Sequence, residues 1–88
     1  MWYSLDNYCD KKSFYGRCAV ERFFNYDNLY SYGTLIMEFD RNTKKIRRLW
    51  NGYSRTTQRH INAFLRFVNR TEFIGKTNTY KMKRGEWY

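Results

Sequence analysis

The chain contains no proline, one histidine and only two cysteines, and each scarcity removes a class of chemistry. Zinc sites usually ask for four nitrogen or sulfur ligands, more than Cys9, Cys18 and His60 can supply, so neither a metal nor another cofactor is expected. Cys9 and Cys18 lack C-x-x-C spacing and read as two reduced, partly buried thiols. The five glycines stand isolated at positions 16, 33, 52, 75 and 85, so no glycine loop cradles a phosphate. Asp6, Asp10, Asp27, Glu38 and Asp40 form no DxD or ExxE pair of the kind that holds catalytic magnesium. No serine, cysteine or carboxylate is placed by spacing to make a nucleophile–base pair with His60, which reads as a histidine at the edge of a core, bonded by Thr56 or Thr57. No catalytic residue is assigned, and the expectation is a protein that is not an enzyme. No apolar run approaches the roughly 18–20 residues of a membrane span, and Met1 to Asp6 does not read as a signal peptide. A soluble, intracellular protein is expected.

Acidic residues are scarce on one side only. Residues 1–40 carry four basic and six acidic side chains, whereas residues 41–88 carry thirteen basic and two acidic ones, which accounts for the formal charge of +9. Between Arg41 and Arg70 there is no carboxylate at all. A basic half interleaved with Tyr, Phe and Trp suits phosphate backbones or an acidic protein surface. Aromatics make up 22% of the 88 residues, more rings than one small core holds, so several should lie exposed where interfaces form.

One domain fits this length. Residues 1–12 read as an irregular arm. Ser13–Val20 alternates as a first strand, Asn25–Asn28 as a turn, and Leu29–Asp40 as a second strand with Leu35, Met37 and Phe39 on one face. Asp40–Thr43 is a hairpin turn and Lys44–Trp50 a third strand. Ser54 or Thr56 caps a helix whose Ile61, Phe64, Leu65 and Val68 recur at i, i+3, i+4 and i+7. Thr77–Met82 could add a fourth strand before a tail at residues 85–88. The order predicts an α+β fold, a small antiparallel meander of three or four strands covered by one amphipathic helix.

At about 100° per residue, Arg55, Arg59, Asn62, Arg66 and Arg70 share an arc of roughly 80° nearly opposite the apolar stripe. Planar guanidinium forks aligned in this way suit phosphates or carboxylates. Lys44, Lys45, Arg47 and Arg48 make a second basic cluster on the hairpin. Lys81, Lys83 and Arg84 make a third, beside Tyr80, Trp87 and Tyr88. Basic residues interleaved with rings are also how single strands are held.

Three stretches, Ser13–Val20, Leu29–Ile36 and Gly52–Ile61 continuing to Phe64-Leu65, resemble a group of small proteins from phages and mobile elements of bacteria. The resemblance covers about residues 13–68. Its most specific part is the Y-S-x-T-T-x-R-H-I-x-x-F-L helix entry, here Tyr53 to Leu65. Cys18 and Met37 stand where small residues are expected, and the basic hairpin is heavier. The resemblance implies a setting in the cytoplasm of a bacterial host and no particular mechanism. It raises the prospect of an inhibitor of host defence, CRISPR–Cas inhibition being the sharpest form. A basic inhibitor would contact a host effector through its guide RNA, its target DNA or an acidic protein patch. The alternative is a general nucleic-acid-binding accessory protein.

Overall fold

The computed structural model describes residues 1–5, 8 and 18–88. Five strands, β1 (Trp2–Ser4), β2 (Cys18–Phe23), β3 (Tyr26–Ser31), β4 (Thr34–Asp40) and β5 (Lys45–Arg48), precede helix α1 (Arg55–Phe67), a 3-10 turn (Thr71–Phe73) and a one-turn helix α2 (Lys76–Thr79). The strands pair antiparallel in sequence order, β1-β2-β3-β4-β5. The α+β meander with one main helix is therefore as expected, with more strands than the sequence suggested.

The arm begins as a strand. Trp2 and Tyr3 pair with Glu21 and Val20, Leu5 is fully buried, and the Trp2 ring meets that of Tyr30 at 5.3 Å. Residues 6, 7 and 9–12 lie outside the described residues, as do residues 13–17 of the expected first strand. The single strand expected over Leu29–Asp40 is two strands joined by Tyr32-Gly33, both at positive φ (51° and 81°). That backbone twist closes a two-residue hairpin. Asn25–Asn28 is likewise not a turn: the bend is Phe24-Asn25, and Tyr26 to Asn28 already belong to β3. A register shift opposite Leu29 and Tyr30 inserts Ile36 as an extra residue in β4. The bulge puts neighbours Ile36 and Met37 both into the core and turns Leu35 away from it, breaking the simple alternation.

Helix α1 covers one face of the sheet. Ser54 in extended conformation caps it, its Oγ accepting from Thr57 N at 3.4 Å. Ile61, Phe64 and Leu65 then enter a core with Val20, Leu29, Met37 and Ile46. Asn69 at φ 60° ends the helix; Asn69 N–H donates to Arg66 O and Arg70 N–H to Leu65 O, satisfying carbonyls that have no further helical turn to accept from. The segment expected as a fourth strand is α2 instead, and Met82 behind it is fully buried. The tail is tied down: Tyr88 N–H donates to Ile46 O at 2.8 Å, and Ile46 N–H to Tyr88 O at 3.0 Å.

Candidate functional site

Alternation along β5 decides the fate of the hairpin cations. Ile46 and Arg48 turn to the helix-covered face, while Lys45 and Arg47 turn to the other. Arg48 is 5% exposed and clamps the chain from within, donating from Nη2 to Met82 O at 2.7 Å and from Nη1 to Trp50 O at 3.2 Å. It is withdrawn from any contact surface. Arg47 pairs with Glu38 at 2.6 Å beneath the Trp87 ring, 4.5 Å away. Asp27, nearly fully buried, takes Arg22 at 2.9 Å and Arg41 at 2.6 Å. Carboxylates of the acidic half thus engage cations of the sheet and its turns. Lys44 and Lys45 remain exposed.

The third cluster disperses. Tyr80 donates to Gly52 O under the Arg48 guanidinium, and burial pushes its hydroxyl pKa up. Trp87 stacks near Tyr26 at 6.3 Å on the uncovered sheet face. Arg84 donates to Leu49 O at 3.1 Å, and Lys81 and Lys83 stay exposed.

The helix ridge largely holds together. Arg55, Arg59, Asn62 and Arg66 line one groove of about 350 Å³, joined by Tyr53, Gln58, Gly75 and Lys76. Lys76 arrives because the chain doubles back after α1, and its Nζ sits 4.2 Å from the centre of the Tyr53 ring. Asn62 fastens the far wall: its Oδ1 accepts from Gly75 N–H and Gln58 Nε2, each at 3.0 Å. Gln58 also donates to Thr79 Oγ1 at 2.9 Å; its own Oε1 is buried with no donor among the described residues. No carboxylate lines this groove among the described residues. Arg59 is already engaged by a partner, and Arg66 Nη1 donates to Tyr8 O at 2.9 Å. Among the described residues Arg55 and Lys76 form no ion pair.

Arg70 leaves the ridge. The positive φ of Asn69 swings it round to Glu72 at 2.8 Å and to the carbonyls of Lys44 and Tyr88. Its bond holds the Glu72 carboxyl below the usual range. The sequence reading overlooked Tyr53 and Lys76, which belong to no periodic face; Tyr53 was visible only as the opening of the helix-entry pattern.

His60 is fully buried, and burial lowers its pKa. Folding brings it a partner that spacing concealed: Ser31 Oγ lies 2.7 Å from Nδ1 and 3.3 Å from Thr57 Oγ1. Ser31 is 3% exposed, so the pair joins β3 to α1 and no substrate reaches it. Cys18 is buried, and Cys9 lies outside the described residues. Among the described residues no three His, Cys, Asp or Glu side chains group to hold a metal, and no helix is long and apolar enough to cross a membrane.

None of the curated proteins and none of the solved structures compared with this chain matches it. Over residues 3–87 it matches the model described as a family of unknown function, DUF8033, and it belongs to that family.

Proposed function

We propose that the protein is a non-enzymatic, nucleic-acid-binding module that grips phosphates through the groove on the outer side of α1. The observation that carries this reading is a groove lined by Arg55, Arg66 and Lys76 with no described carboxylate among its lining residues; Arg59 also lines it and already has a partner. Guanidinium forks at such a site suit phosphate oxygens, and each phosphate neutralised steepens the salt dependence of affinity. The exposed Lys44 and Lys45 add long-range attraction without defining the contact.

The biological use we assign is interference with a nucleic-acid-handling host defence, CRISPR–Cas in its sharpest form. This rests on the phage-type stretches around Tyr53–Leu65 and on the cationic groove along α1. The partner is then a host effector protein, its guide RNA or DNA, or both.

Two assays test the reading. Fluorescence anisotropy with a labelled oligonucleotide should show binding at low salt that falls by an order of magnitude or more toward physiological salt. Binding that is absent or insensitive to salt overturns the phosphate contact. Guided DNA cleavage by a CRISPR effector should be suppressed by the protein and restored by Arg59→Glu with Arg66→Glu. Suppression that survives this double reversal removes the groove as the inhibitory surface. Oligonucleotide binding with no effect on cleavage by any effector leaves the general accessory role in place of inhibition.

A further inference from the structure

Phosphate capture alone gives Tyr53 nothing to do, yet its ring stands at the mouth of the groove with 49% of its surface exposed. It is also held in place: Lys76 Nζ lies over one face of the ring, 4.2 Å from its centre, and Tyr80 meets it at 6.2 Å, tilted by 58°, so a base would stack on the face opposite Lys76. An aromatic face that is oriented, partly open and set beside cations is what an unpaired base needs for stacking. Asn62 supplies a second element. Both bonds to its side chain fall on Oδ1, and among the described residues its amino group has no partner, so two N–H donors remain for the groove.

The dimensions point the same way. A volume of about 350 Å³ lies at the lower end of small-ligand sites, enough for a base and its flanking phosphate. A duplex keeps its bases stacked on one another and offers no free ring face to Tyr53.

Building on the phosphate-binding role above, we infer that the groove holds one nucleotide of a single strand, its base stacked on Tyr53, its edge accepting from Asn62 Nδ2 and its neighbouring phosphates on Arg55, Arg66 and Lys76. The strand runs along the outer side of α1, and the ring, not charge alone, separates single strands from duplexes.

The test uses the full chain and two labelled probes of equal length, a single-stranded dodecamer and a duplex, with Tyr53→Leu, Tyr53→Trp and the charge-reversed Arg55→Glu/Arg66→Glu. Melting temperatures first establish that each variant is folded. The wild type should prefer the single strand. Tyr53→Leu should lose roughly tenfold in single-strand affinity with an unchanged salt slope. Tyr53→Trp should keep that affinity and show indole fluorescence quenched as strand is added. Unchanged affinity in Tyr53→Leu, or equal loss in the Leu and Trp variants, overturns base stacking while leaving phosphate binding intact. Stronger binding of the duplex also overturns it. Failure of the wild type to bind either probe at low salt is a different result: it removes the nucleic-acid reading itself.

Discussion

At the scale of single residues, burial has assigned roles that side-chain type alone leaves open. His60 is the chain's sole histidine, so no other imidazole contributes to a change of stability between pH 7 and 5. Its folded pKa is depressed by burial. The unfolded chain therefore binds the proton more readily, and stability falls as pH drops below the ordinary histidine value near 6.5. Above that value the contribution is complete. The melting temperature should decline from pH 7 to 5, and His60→Gln should be less stable yet flat over the same window. A flat wild-type profile would contradict a neutral, sealed imidazole. Arg48 makes a second case. Arg48→Ala strips donors from the buried Met82 carbonyl and the part-buried Trp50 carbonyl and should cost about 2–4 kcal/mol in denaturant unfolding. Lys45→Ala, one strand position before Ile46 and exposed, should change stability by less than about 0.5 kcal/mol. Comparable losses from the two would show that Arg48 is not the internal clamp described here.

Among the elements, α1 was the most legible. Its apolar spacing and a cap at Ser54 or Thr56 follow from local pattern, the structure selects Ser54, and Ser54→Ala should lower stability by about 1 kcal/mol in thermal unfolding. No loss would mean that the Oγ–Thr57 bond does not hold the first turn. The sheet was legible in type and incomplete in detail. Tyr32-Gly33 closes a hairpin although Tyr carries no turn signature, and the Ile36 bulge defeats the period-two rule that identified β4. β1 escaped notice because three residues show no periodicity; pairing with β2 and the burial of Leu5 define it. The segment expected as a fourth strand folds as α2, whose four residues are too few for a helical pattern to register. The candidate groove was half legible for the same reason. Arg55, Arg59, Asn62 and Arg66 share one helical face and can be found on a wheel. Tyr53 and Lys76 reach the groove through the fold, so only coordinates join them to it.

For the whole molecule, the organising fact is where unlike charges meet. The acidic first half builds most of the sheet, and its Asp27 and Glu38 are engaged by Arg22, Arg41 and Arg47. Folding thereby pairs Arg22, Arg41 and Arg47 on the sheet and its turns while Lys44 and Lys45 stay exposed, and it leaves the groove along α1 without a described carboxylate. The formal charge of +9 is spread unevenly, and affinity should depend on position more than on total. Two double variants with the same change in net charge separate the possibilities: Arg55→Glu/Arg66→Glu in the groove and Lys44→Glu/Lys45→Glu on the hairpin. The decisive measurement is single-strand affinity of both across a salt series, beside the wild type. The expected result is binding reduced at least a hundredfold, with a flattened salt slope, in the groove variant, and a loss of about threefold or less in the hairpin variant. Equal losses in the two would contradict a localised site and leave only the attraction of a basic protein for any polyanion.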